Sequence, residues 1–202
     1  MRTDVNGRHF YLYLILDVWS RKIVGWSIHE RESKELSEEL LTGTCRREKI
    51  ARHQLVLHAD NGSPMKNADL SICFEKLGVA RSHRRPRVSN DNAFSESMFR
   101  TVKHCTMYPA RGRFASVESA REWMLRFEHW YNEAHLHSGI RYVTPSERHD
   151  GRDVAILRKR DGAYEQARKR HPERWSGATR NWNHIGSVTL NPLPAEAKPP
   201  AA

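Results

Sequence analysis

The sequence predicts an α/β domain with a mixed sheet, and two observations carry that prediction. Short runs rich in aromatic and β-branched residues, typical of strands, alternate with segments whose apolar residues recur at helical spacing. The first two strand-like runs, residues 9–17 and 22–28, are joined by a turn of four residues. They therefore pair as a hairpin, which excludes a purely parallel sheet.

The segments after the hairpin predict a helix, a strand, a helix, a short strand and then helices. Ser33 is expected to cap a helix that runs to about Arg47 with leucines on its inner face. A buried strand is expected at 54–58, and the next helix, at 67–77, should stop at Gly78 because glycine favours helix ends. The remaining expected elements are a strand at 79–83 and helices at about 92–108, 117–135 and 152–171.

The 117–135 helix carries the clearest apolar stripe of the chain. Its spacing predicts a face buried in the core and not a cofactor site. Thr144-Pro145-Ser146-Glu147 is a turn or a helix start, since Thr caps helices and Pro suits their first turn. The stripe comprises Ala120, Trp123, Met124, Phe127, Tyr131 and Ala134.

The charge balance of the chain indicates a polyanionic partner. Lys and Arg number 34 against 24 Asp and Glu, giving a net charge of +10 and an isoelectric point near 9.8. A basic surface that binds nothing is the alternative, so charge alone does not identify nucleic acid.

Several function classes find no support in the sequence. No apolar run is long enough to cross a membrane, and the N-terminus has no signal-like segment, so we expect a cytoplasmic location. The three cysteines are scattered, which suggests neither disulfides nor a zinc ribbon, and nucleotide-binding or hydrolase motifs do not occur. The histidines at 129, 135 and 137 are interpreted as structural or near DNA and not as a zinc site.

Two acidic residues stand where an active site could use them. Asp60 follows an apolar strand at the sheet edge where α/β proteins bind ligands, and Asn61-Gly62 lets the chain turn away. Glu96 lies one turn into the expected 92–108 helix. Paired carboxylates supply the hard oxygen ligands that Mg²⁺ prefers, although two-metal chemistry ordinarily needs a third.

Basic residues surround the expected position of Glu96. On its helix, Asn92, Arg100 and Lys103 share the face of Glu96, opposite an apolar face that contains Met98. An ordinary solvated helix face is the alternative interpretation. An irregular basic stretch precedes the helix and is expected to contact the DNA backbone. Its cations are Arg81, Arg84, Arg85 and Arg87.

Four segments together carry a family resemblance. They occur at 11–26 (YLYLILDVWSRKIVGW), 57–63 (LHADNGS), 89–103 (SNDNAFSESMFRTVK) and 130–147 (from WYN to TPSE). In order and spacing the chain resembles the integrase catalytic domain shared by bacterial insertion-sequence transposases and retroviral integrases. It is most similar to the branch whose second reading frame encodes the transposase.

The resemblance implies a fold, a metal site and a reaction. Glu96 lies 36 positions after Asp60 (96 − 60), with 35 residues between them, which is the spacing of the family's second Asp and its Glu. The implied fold is ribonuclease-H-like, a mixed five-stranded sheet flanked by helices. Asp60 and Glu96 are then the catalytic, metal-binding residues for two Mg²⁺ or Mn²⁺ ions. The implied activity is metal-dependent DNA cleavage and strand transfer by a homo-oligomer on transposon ends and target DNA.

One part of the family pattern is missing from the sequence. The first catalytic Asp belongs to a strand before Tyr11, and we expect that strand to be absent, since Asp4 lies too close to Tyr11. Asp17 belongs to a recurrent turn block and should organise that turn. Loss of a central strand would expose strand edges and lower stability. The alternatives are therefore a catalytically dead DNA-binding or oligomerising fragment and a ribonuclease-H-like nuclease.

The expected organisation has three parts. Residues 1–150 form the catalytic core, incomplete at its N-terminus. Residues 151–190 form a basic extension, and residues 191–202 form a disordered tail rich in Pro and Ala.

Overall fold

The computed structural model of the chain describes residues 1–59, 68–83 and 93–190. Short 3₁₀ turns at Ser138–Ile140 and Pro172–Arg174 supplement the regular elements. Helix and strand types agree with the expectations throughout, and the third helix ends four residues earlier than expected. The elements are β1 (Tyr11–Leu16), β2 (Ile23–His29), α1 (Lys34–Arg47), β3 (Val56–Ala59), α2 (Ala68–Leu77), β4 (Ala80–His83), α3 (Ala93–His104), α4 (Val117–Glu133), α5 (Pro145–His149) and α6 (Asp153–Arg170).

The sheet of the described residues consists of two separate pairs of strands. β1 and β2 pair antiparallel, with Tyr11 opposite His29, and β3 and β4 pair parallel, with Val56 opposite Ala80. The structure thus has both strand directions, as a mixed sheet requires. Within the described ranges the two pairs do not join into one five-stranded sheet, because no described strand hydrogen-bonds to both of them.

Side-chain caps and glycines fix the ends and the close contacts of several elements. Ser33 accepts a hydrogen bond from the backbone N–H of Leu36, as expected for the cap of α1. Gly78 ends α2 in the left-handed region, at φ +64°. Gly25 of β2 lies so close to α1 that an added Cβ would clash with the hydroxyl of Thr44. The helix therefore packs directly on the hairpin at this glycine.

The largest buried cluster, which we call the hairpin core, lies between the β1–β2 hairpin, α3 and α4. Ala120, Met124 and Phe127 of α4 are fully buried there, and Phe127 stacks on Trp123 with ring centroids 5.1 Å apart. The expected stripe of α4 is confirmed except at Ala134, which is not buried in the core because α4 ends at Glu133. Asn132 is buried in its place.

Two smaller clusters complete the packing. The small core joins α1, α2 and the β3–β4 pair, and its buried members are Leu41, Cys45, Phe74 and Val79. The C-terminal core joins the segment after α4 to α6 and to the extended chain beyond it. Its buried members are Ile140, Val143, Leu157 and Trp182.

The Thr144-Pro145-Ser146-Glu147 segment starts a helix, as expected. Thr144 and Glu147 form a reciprocal capping box and Pro145 occupies the first turn of α5. α5 then delivers Arg148 into the protein interior. The Arg148 guanidinium is fully buried, donates to the carbonyls of Trp19 and Ile185, and lies 3.6 Å from the equally buried Asp153 carboxylate.

No helix in the described part of the chain is long and apolar enough to span a membrane.

Candidate active site

α3 presents its charged residues to solvent and packs Met98 and Val102 into the hairpin core. Met98 and Val102 are buried, whereas Glu96, Arg100 and Lys103 are exposed. The two faces expected from helical spacing are therefore present. Glu96 lies in the first turn of α3, where a negative charge interacts favourably with the helix dipole. Glu96 forms no ion pair with any described residue, so its carboxylate is available for another partner.

The turn of the hairpin contacts the start of α3. The guanidinium of Arg21 lies over the ring of Phe94, 3.9 Å from the ring centroid. Arg21 has a positive φ of 67° and is half-buried, and burial lowers the pKa of its guanidinium. This contact links the hairpin to the helical turn that carries Glu96.

Asp17 organises that hairpin turn, as expected. Its carboxylate accepts from the backbone N–H groups of Trp19 and Ser20, at 3.2 and 3.1 Å, and from the Ser20 hydroxyl. His149 of α5 lies between the Asp17 and Glu48 carboxylates, 3.4 and 3.3 Å from them. Asp17 is thus committed to local contacts, which agrees with a structural role.

The β3–β4 pair leads to the second candidate ligand, because Asp60 directly follows β3 in the chain. Because the two strands are parallel, their carboxyl ends, at Ala59 and His83, meet at the same edge. His58 and Ser82 bridge the strands, with His58 Nδ1 3.1 Å from Ser82 Oγ. Asp60 is the next residue after β3 and lies outside the described residues. So do the expected DNA contacts Arg84, Arg85, Arg87 and Asn92.

The carboxylates suit a hard divalent cation. Among the described residues, which do not include Asp60, no group of three or more His, Cys, Asp or Glu side chains could hold a metal ion. Glu96 contributes an exposed carboxylate with no competing ion pair to a described residue. The donor set of Asp60 and Glu96 has the oxygen chemistry that Mg²⁺ and Mn²⁺ prefer.

The histidines after α4 pack on aromatic rings. His135 stacks on Tyr131 with ring centroids 5.4 Å apart, and His137 stands edge-on to His135 at 5.8 Å. Burial lowers the pKa of both rings, and for His137, which also faces Arg21, the pKa falls to about 4. Nδ1 of His137 accepts from the backbone N–H of Gly139. These contacts hold the loop after α4 in place beside the hairpin turn.

Sequence reasoning missed two residues that support the structure around α3 and the hairpin. Asn132 of α4 accepts from Ile23 N–H and donates to Ile23 C=O, at 2.9 and 3.0 Å, so it satisfies the first residue of β2. Arg21 supports α3 through Phe94. Both belong to the matching segments, Asn132 to WYN and Arg21 to SRK, and that membership was the available signal.

Comparisons with known proteins agree with this geometry. Family models described as "Integrase core domain" match residues 1–89 and 77–145. A transposase for insertion sequence element IS904 of Lactococcus lactis is 31% identical over 137 residues, which cover 68% of this chain and 53% of that protein. The putative transposase InsK for IS150 of Escherichia coli is 24% identical over 143 residues, covering 71% and 50%. The chain therefore spans about half the length of the curated relatives it matches.

A solved structure shows the same fold at low sequence identity. A chain of the simian T-cell lymphotropic virus intasome in complex with PP2A regulatory subunit B56 gamma superposes with a TM-score of 0.57 at 10% identity. The match covers 73% of this chain and 50% of that one. The fold is thus ribonuclease-H-like, as expected. Together with the family models and the insertion-sequence relatives, it shows that the chain belongs to the DDE-type transposase and integrase core family.

Proposed function

We propose that this chain is the catalytic core of an insertion-sequence transposase, which cuts DNA at the element's ends and joins it to target DNA. The observation that carries the proposal is the exposed Glu96 on α3, beside Arg100 and Lys103 and 36 positions after Asp60. A carboxylate amid cations that can contact phosphate suits an enzyme that acts on a phosphodiester.

In this proposal Asp60 and Glu96 hold Mg²⁺ or Mn²⁺. When bound, the metal supplies Lewis-acid stabilisation of charge on the reacting phosphate. Arg100 and Lys103 bind DNA phosphates next to the site and orient the strand. Arg84, Arg85, Arg87 and Asn92 are proposed as further DNA contacts. The resemblance implies a third carboxylate, and no residue of this sequence is assigned to that role.

The partners follow from the same proposal. The substrate is duplex DNA, both transposon ends and target, and the relatives' names are those of transposases. Two DNA ends must be held together for joining, so we expect the protein to act as a homo-oligomer. An enzyme of the bacterial chromosome would work in the cytoplasm at the nucleoid.

The experiment combines metal binding with a joining assay. Mn²⁺ binding to the chain is measured by calorimetry, and DNA products are measured on duplexes taken from the boundary of the encoding element. The variants are Asp60→Asn and Glu96→Gln, and Glu122→Gln on the exposed face of α4 is the matched control. We expect both site variants to lose Mn²⁺ binding and any cleaved or joined products that the wild-type chain makes, and we expect the control to match the wild type in both measurements.

The outcomes separate the alternatives. Joined products from Glu96→Gln would overturn the proposal. Cleavage without joining would indicate a ribonuclease-H-like nuclease. DNA binding without Mn²⁺ binding or products would indicate a non-catalytic fragment.

A further inference from the structure

α6 carries a strip of cations that the candidate site does not explain. Arg158, Lys159, Lys169 and Arg170 are all exposed. None of the four forms an ion pair with any residue that the structure describes. Arg152, just before α6, is in contrast paired with Asp150 at 2.8 Å.

The four cations share one side of the helix. Successive residues rotate by about 100°, so the four lie within an arc of about 120°, and their ends are separated by about 18 Å along the axis. Ala155, Gly162 and Gln166 share that arc and add no acidic group. Small and neutral residues between the cations let an extended polyanion approach the helix closely. We call this surface the α6 basic face.

The acidic residues of α6 do not neutralise this face. Asp153 is fully buried beside Arg148 and His184, the latter at 3.2 Å. Glu165 accepts a hydrogen bond from the Thr179 hydroxyl at 2.9 Å. Asp161 is exposed about 60° from Arg158 around the helix, outside the arc. No acidic residue therefore lies within the arc, and the face carries a net positive charge.

The fold does not need these cations to hold α6 in position. Leu157 anchors the helix in the C-terminal core. Arg160, on the buried side, donates to the carbonyls of Arg141 and Tyr142 at 3.0 and 2.7 Å. The helix dipole accounts for Lys169 and Arg170 in the last turn, but not for Arg158 and Lys159 near the middle. A binding role explains all four.

We infer that the α6 basic face is a second DNA-binding surface, which contacts the backbone of duplex DNA outside the candidate active site. A row of exposed cations without ion pairs to described residues, on one helix, suits evenly spaced phosphates, and about 18 Å corresponds to about five base-pair steps. The inference rests on the proposed function only in its choice of DNA as the polyanion. It gives α6 a function that the sequence did not reveal.

The test compares two triple variants of equal net charge. The face variant is Arg158→Gln, Lys159→Gln and Lys169→Gln. The control variant is Arg46→Gln, Lys49→Gln and Lys76→Gln, three exposed cations outside α6, of which Arg46 and Lys76 line a groove between α1 and α2 together with glutamates. Binding of a fluorescent duplex of arbitrary sequence is measured by anisotropy across a salt series, after thermal melts have shown both variants folded.

We expect the face variant to have a shallower slope of log K, the DNA association constant, against log salt concentration. The slope should change by about 0.9 for each phosphate that the helix no longer neutralises, which amounts to a change of about two to three for the three cations removed. The control variant should have the same slope as the wild type. Equal slopes for the two variants, or a wild-type chain that binds no duplex at low salt, would overturn the inference. A face that serves an acidic protein or an anionic membrane would leave the slope unchanged and would overturn it too.

The same assay keeps this inference separate from the proposed function. Joined products from Glu96→Gln would overturn the proposed function, and that result would leave the comparison of salt slopes between the face variant and the control variant unaffected. Slope changes confined to the face variant would support the α6 basic face even if no variant of the chain joins DNA.

Discussion

The hairpin core and the small core are packed very differently, and the two candidate metal ligands are divided between them. In the hairpin core, α4 contributes three fully buried residues and a run of stacked aromatic rings. In the small core, β3 and β4 are short strands, and Val56 of β3 is 60% exposed. Glu96 belongs to a helix anchored in the first region, whereas Asp60 directly follows a strand of the second.

This difference indicates how such a site is built. Buried aromatic surface supplies most of the stability of a small domain, so the hairpin core should set the global free energy of unfolding. The β3–β4 pair has few described apolar contacts and should open at lower free energy. A metal ion held by Asp60 and Glu96 would therefore stabilise the second region more than the first.

The largest expected effect is in the hairpin core. Phe127→Ala removes a fully buried ring that stacks on Trp123 and Tyr131, and should lower the free energy of unfolding by about 4 kcal/mol. Phe74→Ala in the small core should cost less, because no aromatic ring stacks on Phe74 among the described residues. Urea unfolding measures both, and equal losses would contradict the comparison.

The next effect concerns the polar contact between α4 and β2. Asn132→Ala leaves the buried N–H and C=O of Ile23 without their side-chain partners, which should cost about 2 kcal/mol. Ser82→Ala removes a half-buried bridge between β3 and β4 and should cost less than about 1 kcal/mol. A larger loss from Ser82→Ala in urea unfolding would reverse the order of the two regions.

A smaller effect is expected where the hairpin meets α3. Arg21→Gln removes the guanidinium from the Phe94 ring and should cost about 1 kcal/mol. Hydrogen exchange should be faster in the first turn of α3 and unchanged in the middle of α4. Unaltered exchange at α3 would show that Arg21 does not support the helix that carries Glu96.

The smallest effect depends on pH. Burial lowers the pKa of His137 to about 4, from an ordinary value of 6.5, so the unfolded chain binds a proton more readily than the folded one. The contribution of His137 to stability is complete above pH 6.5 and is lost as pH falls toward 4. Melting temperatures of His137→Asn should therefore fall less than those of the wild type between about pH 6.5 and pH 5. Equal falls in the melting temperatures of the variant and the wild type would show that His137 does not contribute to the pH dependence of stability.

Much of this fold could be predicted because its signals are local. Hairpin spacing, the Ser33 cap, Gly78 and the faces of α3 depend on residues close together in the chain. The prediction of a buried stripe on α4 was wrong only at Ala134, because the helix ends before that residue although the apolar periodicity continues to it. Periodicity indicates which face is buried, but it does not fix where a helix stops.

The remaining features depend on contacts between distant segments. Nothing near Asn132 shows that Ile23 needs its amide, and nothing near Arg148 shows that the carbonyls of Trp19 and Ile185 will surround it. Asp60 and Glu96 were proposed from strand ends, helix faces and the family spacing, and their metal-binding roles stay predictions. The division at residue 150 also stays a prediction.

The buried Arg148 has a practical consequence for anyone preparing fragments of this protein. Its three partners, Trp19, Asp153 and Ile185, come from the first hairpin, from α6 and from the extended segment near the end of the described chain. A fragment that stopped at residue 150 would keep the cation but lose the carboxylate and one carbonyl that neutralise and bind it. Expression boundaries should therefore lie beyond Gly186, whose carbonyl accepts from the Trp19 indole at 3.1 Å.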